Sequence, residues 1–209
     1  MLKRDVFCVF EGIDGSGKTT LIERVKNEIL LDHPDFTDSI LLLREPTSGS
    51  TGQKIRSLLM AGAHLERSEW IDLFMKDREE NVNLHILPAL QKKQLILQDR
   101  YFYSTAAYQG KETEAPTVYD IVNVSLSRKF PEPDLLFFLD IPPDAALERI
   151  QNTRKNLESF ETLNQLEVFY KNFLKILPEN CIFLDAMEDQ DEIVDETVRI
   201  IYEYMESME

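Results

Sequence analysis

The chain has 209 residues, with 23 Lys and Arg against 38 Asp and Glu, so its formal net charge at pH 7 is −15. This length allows a substantial hydrophobic core, and we expect residues 1–209 to form one domain. The negative charge repels nucleic acids and anionic membrane surfaces, which excludes a general electrostatic nucleic-acid binder. Since no run of about 18 apolar residues occurs, the sequence also predicts no membrane-spanning segment.

The first predicted element is a buried strand, Val6–Phe10, and the segment Gly12-Ile-Asp-Gly-Ser-Gly-Lys-Thr19 follows it closely. This segment matches G-x-x-x-x-G-K-[ST], the phosphate-binding loop, whose glycines let successive backbone N–H groups turn toward a phosphate. The Lys18 ammonium can reach the β- and γ-phosphates of a nucleoside triphosphate, and the Thr19 hydroxyl can ligate Mg²⁺. The helix that begins here adds the positive end of its dipole. The residues predicted to bind the nucleotide are Gly12, Asp14, Gly15, Ser16, Gly17, Lys18, Thr19 and Thr20.

Four more apolar strands follow along the chain, and helical periodicity fills the stretches between them, the longest from about Ser68 to Gln91. Uninterrupted apolar strands that alternate with helices predict a parallel sheet covered on both faces. The predicted fold class is therefore α/β, with three layers, a five-stranded parallel sheet, helices on both faces and a short lid at approximately 149–161. The additional strands are Ile40–Leu43, Leu95–Gln98, Leu135–Leu139 and Ile182–Leu184.

The two cysteines, Cys8 and Cys181, both fall in strand-like segments. This placement favours buried, reduced thiols over a disulfide or a metal site. The three histidines are scattered and have no metal-ligand spacing. A cytoplasmic location is expected by default, since the apolar stretch near the N-terminus is interpreted as a core strand and not as a signal peptide.

Polar residues follow the predicted strands, at the edge where parallel sheets bind ligands. Arg44 follows the second strand, where it can clamp an acceptor phosphate, and a surface ion pair with Glu45 is the alternative. Asp99 ends the third strand, where its carboxylate can hold water on Mg²⁺ beside Thr19, and a helix-capping Asp is the alternative. Arg100 comes next and can bridge donor and acceptor phosphates, for which a planar guanidinium is well suited.

Among proteins with a phosphate-binding loop, these features favour a small kinase. A GTPase would need an N-K-x-D guanine motif, and none occurs. A motor or oligomeric ATPase would usually have an apolar strand that ends in two acidic residues, and the sequence has no candidate. A small kinase needs a second phosphate site, an aspartate that orders Mg²⁺ and a basic lid. Arg149, Arg154 and Lys155 supply the basic residues of the predicted lid.

Five segments of the chain together match the motifs of one enzyme family. They are Phe10-Glu-Gly-Ile-Asp-Gly-Ser-Gly-Lys-Thr-Thr20, Arg44-Glu-Pro46, Leu73-Phe-Met-Lys-Asp-Arg78, Asp99-Arg-Tyr101 and Ser104-Thr-Ala-Ala-Tyr-Gln-Gly110. Taken together, these motifs resemble those of thymidylate kinase over nearly the whole chain. The resemblance implies the fold of the P-loop nucleoside monophosphate kinases and a homodimer. It also implies transfer of the γ-phosphate of ATP to dTMP with Mg²⁺, giving dTDP and ADP in the synthesis of dTTP.

The same resemblance implies roles in binding dTMP. It implies that Phe74 stacks on thymine, that Arg78 donates to a carbonyl at the base edge, and that Thr105 adds a hydrogen bond to the base. Tyr108 would crowd the 2′ position of the sugar, and Asp14 would accept a hydrogen bond from the 3′-hydroxyl. The residues predicted to bind dTMP are Asp14, Arg44, Phe74, Arg78, Arg100, Thr105 and Tyr108.

Helical spacing places Trp70, Phe74 and Arg78 on one face of a helix. Aromatic residues at this spacing usually face a core, and we expect Trp70 to lie in the core. Without the resemblance to thymidylate kinase, the core interpretation would also be favoured for Phe74.

Members of the family carry one catalytic arginine either in the phosphate-binding loop or in the lid. The loop position here is Ser16, so the resemblance implies that the arginine comes from the lid. Arg154 is preferred over Arg149 for this role, and a solvated basic turn is the alternative. The predicted catalytic residues are Lys18, Asp99, Arg100 and Arg154.

The sequence departs from the family pattern in the segment Thr47-Ser-Gly-Ser-Thr-Gly52, which follows the Arg-Glu-Pro motif. The adenine pocket is expected near Asp185–Gln190. Two alternatives to a thymidylate kinase remain open: a kinase of another deoxynucleotide or of a deoxynucleoside, and an inactive nucleotide-binding regulator. Arg44 favours an acceptor that already carries a phosphate, and the presence of Lys18 and Arg100 argues against a loss of turnover.

Overall fold

The computed structural model describes residues 5–153 and 162–207. Within them, five strands form one parallel sheet in the order β2-β3-β1-β4-β5, as predicted. Each strand continues one residue past its predicted end, and that residue is charged in every case. The strands are β1 (Val6–Glu11), β2 (Ile40–Arg44), β3 (Leu95–Asp99), β4 (Leu135–Asp140) and β5 (Ile182–Asp185).

Helices cover both faces of this sheet and complete the three-layer α/β fold. Helices α1 and α9 pack against each other, and α5 packs against both α6 and α8. None of the described helices is long and apolar enough to cross a lipid bilayer. The helices are α1 (Lys18–Asp32), α2 (Ser50–Met60), α3 (Arg67–Asn81), α4 (Leu87–Gln91), α5 (Phe102–Gln109), α6 (Val118–Ser127), α7 (Pro143–Thr153), α8 (Leu163–Ile176) and α9 (Gln190–Ser207).

The helix predicted from Ser68 to Gln91 consists of three consecutive segments. A π-helical stretch, Val82–Ile86, joins α3 to α4, so the chain stays helical but changes its hydrogen-bond spacing there. Residues 149–153, the first part of the predicted lid, are helical and continue α7. The rest of the predicted lid, including Arg154 and Lys155, lies outside the described residues.

Strand β1 is the centre of the sheet, and all six of its residues are buried. It pairs with β3 on one side and β4 on the other, and in this register Phe10 lies opposite Asp99. Asp99 in turn lies opposite Arg44 of β2. The carboxyl ends of three neighbouring strands therefore meet, and they bring the phosphate-binding loop close to the polar residues that follow β2 and β3. Cys8 and Cys181 are both buried free thiols, as predicted.

Candidate active site

The phosphate-binding loop, Gly12–Thr19, turns around the ammonium group of Lys18. This side chain is almost fully buried, and its Nζ donates to Gly12 O (2.9 Å), Ile13 O (2.8 Å) and Ser16 Oγ (3.0 Å). Burial lowers the pKa of Lys18 to about 7, and the charge of Arg100 adds to this effect. All three acceptors around Nζ are neutral, so an anionic phosphate in the loop would stabilise the charged ammonium.

The hydroxyl of Thr19 and the carboxylate of Asp99 lie next to each other below the loop. Thr19 Oγ1 donates to Asp99 Oδ2 at 2.6 Å, and Asp99 is 3% exposed. Its other oxygen, Oδ1, is buried without a hydrogen-bond partner among the described residues. A carboxylate oxygen with no donor, beside a threonine hydroxyl, is a suitable site for a hard cation such as Mg²⁺. The residue that caps the start of α5 is Tyr101, so the alternative interpretation of Asp99 as a helix cap is wrong.

No group of three or more His, Cys, Asp or Glu side chains in the described ranges could hold a metal ion by itself. A cation between Thr19 and Asp99 would therefore need phosphate oxygens and water as its remaining ligands. Mg²⁺ at phosphoryl-transfer sites usually has this coordination, because it keeps several waters and binds few protein groups. The residues present fit such an ion.

Arg100 extends its guanidinium over the phosphate-binding loop from the end of β3. Its φ angle is +66°, a left-handed conformation that costs about 1–2 kcal/mol for a residue with a β-carbon. Its Nη2 contacts Asp14 Oδ1 at 2.7 Å, and its Nη1 donates to Ser104 Oγ at 3.0 Å and to Gly12 O at 3.3 Å. Burial works to lower the pKa of Arg100, but Tyr108 and Asp14 raise it by more, so the guanidinium is charged.

Asp14 and Tyr108 form a second contact between the loop and α5. The Tyr108 hydroxyl donates to Asp14 Oδ2 at 2.8 Å and accepts from Asp14 N at 3.1 Å. The Tyr108 ring stacks on Phe169 of α8, with centroids 4.2 Å apart. Asp14 therefore joins Arg100 and Tyr108 through its two carboxylate oxygens. Phe169 was missed at the sequence level, because its helical spacing with Phe173 is typical of a core face.

Glu11, at the end of β1, was also missed and fixes the start of α5. Its Oε1 accepts from the backbone N–H groups of Tyr101 (2.9 Å) and Ser104 (3.0 Å), and its Oε2 accepts from Ser104 Oγ at 2.5 Å. Glu11 is completely buried, and burial raises its pKa to about 7. The sequence gives one signal for this role, an acidic residue directly after an apolar strand.

At the other end of the site, Arg78 of α3 forms a buried ion pair with Glu45. Arg78 Nε and Nη2 donate to Glu45 Oε2 at 2.9 and 2.7 Å, and Nη2 also donates to Thr105 Oγ1 at 2.8 Å. Burial raises the pKa of Glu45, and the charge of Arg78 opposes that shift. The predicted alternative, an ion pair between Arg44 and Glu45, is wrong. The Arg44 side chain is 59% exposed, and its Nε lies 3.7 Å from Asp99 Oδ2.

These residues surround one cleft of about 760 Å³ between the phosphate-binding loop, α2, α3, α5 and α8. All seven residues predicted to bind the acceptor line it. Trp70 also lines the cleft, half-buried, with its ring centroid 6.2 Å from that of Phe74. The expectation that Trp70 lies in the core is wrong, because this face of α3 borders the cleft. Lining residues that the sequence did not single out include Arg56, Leu59, Gln109, Gln165, Val168 and Phe169.

The turn at Pro46 and Thr47 forms one wall of the cleft and is held from two helices. Asp77 of α3 accepts from Thr47 N at 2.8 Å and from Thr47 Oγ1 at 2.6 Å. Arg56 of α2 donates to the carbonyl oxygens of Pro46 and Thr47. Gly52 lies so close to this turn that an added Cβ would be 2.1 Å from Thr47 O and 2.5 Å from Thr47 N.

We expect Gly52→Ala to lower the free energy of unfolding by about 3 kcal/mol, the upper range for overpacking, because the obstructing atoms are backbone. Urea denaturation measures the change. Gly62→Ala is the matched control, since Gly62 has φ +61° but nothing within 4 Å of an added Cβ. It should cost only about 1–2 kcal/mol of backbone strain. Equal losses in the two variants would contradict the steric argument.

A second, much smaller cavity of about 40 Å³ lies on the other side of the loop, beside Ser16, Gly17, Arg149, Ala186 and Gln190. Arg149 Nη2 donates to Ala186 O at 2.8 Å. The cavity borders the segment Asp185–Gln190, where the adenine pocket is expected, and that assignment stays a prediction.

Comparisons with known proteins agree with this geometry. The family model described as thymidylate kinase matches residues 10–197. A thymidylate kinase of Leptospira borgpetersenii is 42% identical over 202 residues, which cover 95% of this chain and 94% of the relative. A probable thymidylate kinase of Archaeoglobus fulgidus is 34% identical over 195 residues, 93% of this chain and 94% of the relative. A thymidylate kinase of Mycoplasma capricolum is 29% identical over 214 residues, 98% of each chain.

Proposed function

The chain belongs to the thymidylate kinase family, and we propose that it transfers the γ-phosphate of ATP to dTMP in this cleft, giving dTDP and ADP. Membership makes the protein a nucleoside monophosphate kinase that uses ATP. The observation that carries the choice of acceptor is the arrangement of the cleft. Arg44 and Arg100 form the end of the cleft next to the phosphate-binding loop. The ring of Phe74 and the buried guanidinium of Arg78 form the other end.

At the base end, Phe74 and Arg78 are the residues assigned to thymine. Phe74 is half-buried and lines the cleft, so its ring is available for stacking. Glu45 holds Arg78 by Nε and Nη2, whereas the one hydrogen-bond contact of Nη1 within residues 5–153 and 162–207 is to Met75 Sδ at 3.8 Å. That nitrogen supplies donors for a carbonyl oxygen at the base edge. Thr105 accepts from Arg78 and can add its own hydroxyl proton.

At the sugar, the proposed contacts are Asp14 and Tyr108. The Asp14 carboxylate accepts hydrogen bonds and can take one from a 3′-hydroxyl. The Tyr108 side chain is fixed by Asp14 and Phe169, so its ring cannot easily move aside for an added 2′-hydroxyl. This rigidity supports a preference for deoxyribose.

The phosphates are assigned to Lys18, Arg100 and Arg44. Lys18 binds the transferred phosphoryl group from within the loop, Arg100 lies between the donor and acceptor phosphates, and Arg44 binds the acceptor phosphate. Phosphoryl transfer needs little covalent help from the protein, so alignment and neutralisation of charge supply most of the rate. The cleft concentrates this positive charge in a chain whose net charge is −15.

Mg²⁺ is assigned to Thr19 and Asp99. Asp99 Oδ1, which has no hydrogen-bond partner among the described residues, could accept a hydrogen bond from a water bound to the ion. When bound, Mg²⁺ neutralises charge that develops on the phosphate oxygens. A further catalytic arginine is proposed at Arg154, which lies outside the described residues. From the family resemblance we also propose a single domain, a homodimer and a cytoplasmic location.

A coupled assay that detects ADP tests the proposed function. Purified protein is supplied with ATP and Mg²⁺ and with dTMP, dUMP, UMP, dCMP or thymidine, and one arm omits Mg²⁺. We expect turnover to be fastest with dTMP and to require the metal. Turnover on thymidine alone would contradict the argument from Arg44. The absence of turnover on every acceptor would favour the alternative of an inactive regulator.

We expect Phe74→Leu to raise the KM for dTMP about tenfold, since stacking on an aromatic ring contributes roughly 1–3 kcal/mol per base. The KM for ATP should stay the same, because Phe74 is assigned to the base of dTMP and not to ATP. Steady-state kinetics with each substrate varied in turn measures both. Trp70→Leu, on the same helix face, is the control and should have a smaller effect. A larger effect of the Trp70 variant would assign the stacking ring to Trp70.

A further inference from the structure

Gln98 is a polar side chain in the middle of the sheet that none of the proposed roles uses. It is completely buried in β3 and lies opposite Val9 on one side and Leu43 on the other. Its Nε2 donates to Arg100 O at 2.7 Å and to Asp99 O at 3.3 Å. A buried amide is costly unless its hydrogen bonds are satisfied, and this one is satisfied by the backbone of two proposed active-site residues.

The contact with Arg100 is notable because the Arg100 backbone is strained. Its φ of +66° is rare outside glycine. Such conformations persist only where the surroundings hold them. Arg100 N donates to Phe10 O at 3.0 Å, and Arg100 O accepts from Gln98. Both backbone polar atoms of Arg100 are therefore fixed, one by β1 and the other by the Gln98 side chain.

Asn81 connects Gln98 to the base end of the cleft. Asn81 is 1% exposed, and its Nδ2 donates to Gln98 Oε1 and to Glu45 Oε1, both at 3.1 Å. Glu45 Oε2 in turn accepts from Arg78. A continuous chain of buried hydrogen bonds therefore runs from the backbone of Arg100, through Gln98, Asn81 and Glu45, to the guanidinium of Arg78.

The direction of each hydrogen bond in this chain is fixed. Gln98 Nε2 faces two carbonyl oxygens, so it must be the donor, and Gln98 Oε1 must then accept. Asn81 Nδ2 uses its two protons for Gln98 and for the Glu45 carboxylate. A carboxylate of the same shape at position 98 would meet two carbonyl oxygens and repel them. A change from amide to ionised carboxylate at position 98 would leave the packing unchanged, because the two groups have the same shape. It would break this hydrogen-bond chain, because the carboxylate has no donor.

We propose that Gln98 and Asn81 are positioning residues for the kinase reaction. They hold Arg100, at the phosphates, and Arg78, at the base, as one rigid unit, which fixes the distance between the acceptor base and the point of phosphoryl transfer. This inference rests on the proposed function. It gives a positioning role to Gln98 and Asn81, neither of which is proposed to contact ATP or dTMP.

The first test is Gln98→Met, which keeps the approximate volume and removes the donor. We expect kcat with dTMP to fall about tenfold, the scale of a small misplacement of a catalytic group. The KM for ATP should not change, because the phosphate-binding loop keeps its contacts. Gln98→Glu, the isostere, should lower kcat at least as much as Gln98→Met does. A buried carboxyl can be protonated and could then still donate to Arg100 O, so Gln98→Glu is assayed up to alkaline pH, where the carboxyl is ionised. Activity of the folded, ionised variant at the wild-type level would overturn the proposal, since it would show that shape alone matters.

Thr197→Val is the matched control, because it removes a buried hydroxyl of α9 that donates to Ile193 O, and neither residue lines the cleft. It should lower the melting temperature and leave kcat unchanged. Wild-type turnover of dTMP is measured in the same series. If the wild type is inactive, the proposed function is wrong. If the wild type is active and a folded Gln98→Met variant matches its kcat, the positioning role is wrong.

Should Gln98→Met not fold, Asn81→Ser interrupts the same chain from α3 and leaves β3 intact. We expect it to raise the KM for dTMP about fivefold, a coupling of about 1 kcal/mol, because Glu45 and Arg78 lose their tie to the strand. An unchanged KM and kcat in this variant would also overturn the proposal.

Discussion

Arg100→Ala should lower kcat for dTMP phosphorylation by about 10³-fold, the upper end of the range for one transition-state donor. The guanidinium is charged, lies over the phosphate-binding loop, and contacts Asp14, Ser104 and Gly12 O. Steady-state kinetics measures the loss, and the affinity for dTMP, measured by calorimetry, should fall much less.

Two further variants identify the cause of that loss. Arg100→Lys keeps the charge but not the planar fork of donors, so it should recover only part of kcat. Arg199→Ala removes an exposed guanidinium that pairs with Glu203 on α9, and kcat should not change. A kcat for Arg100→Ala close to the wild-type value would remove Arg100 from the reaction.

Arg78→Met should have the second large effect, because it damages both binding and folding. We expect the KM for dTMP to rise by about 10²-fold and the free energy of unfolding to fall by about 3–5 kcal/mol, the range for breaking a buried ion pair from one side. The ion pair with Glu45 is 1% and 4% exposed on its two side chains. The methionine would leave the Glu45 carboxylate buried without a cation.

The loss of stability in Arg78→Met should depend on pH in a defined direction. Burial already raises the pKa of Glu45 above its ordinary 4.5, and without Arg78 it rises further. A carboxyl whose pKa is raised on folding favours the folded state below its unfolded pKa. That contribution is lost as the pH rises through the folded pKa. The variant should therefore be closest to the wild type below pH 4.5, the ordinary pKa of the carboxyl, and least stable above the folded pKa of Glu45.

Chemical denaturation of Arg78→Met at several pH values tests this expectation. The double variant Arg78→Met with Glu45→Gln removes the buried charge, so it should recover stability at neutral pH without recovering the affinity for dTMP. A pH-independent loss in Arg78→Met, or no recovery in the double variant, would show that the ion pair is not the cause.

The strands could be predicted well from the sequence, because buried parallel strands are uninterrupted apolar runs. Each predicted strand ends one residue too early, because the backbone hydrogen bonds of the sheet include the charged residue that follows the apolar run. Three of those terminal residues, Glu11, Arg44 and Asp99, take part in the site. Hydropathy marks where the core ends, and the ladder of hydrogen bonds extends slightly beyond it.

The pairings within the site could not be predicted in the same way. Arg44 ends β2 and Glu45 follows it directly, yet Glu45 pairs with Arg78 of α3. Trp70 has the spacing of a core residue but borders the cleft, because this face of α3 lines it. Gln98 gives no signal within an apolar strand beyond its polarity. Each of these contacts depends on how distant elements pack.

The arrangement of residues at the end of β3 limits where the chain can gain or lose a residue. Gln98, Asp99 and Arg100 are consecutive, and they serve three different parts of the cleft. Pairing with β1 and β2 fixes β3 on both sides. One inserted or deleted residue in this strand would move all three side chains at once, each into the place of its neighbour. The segment 111–117 lines no part of the cleft, so natural length variation is expected there and not in β3.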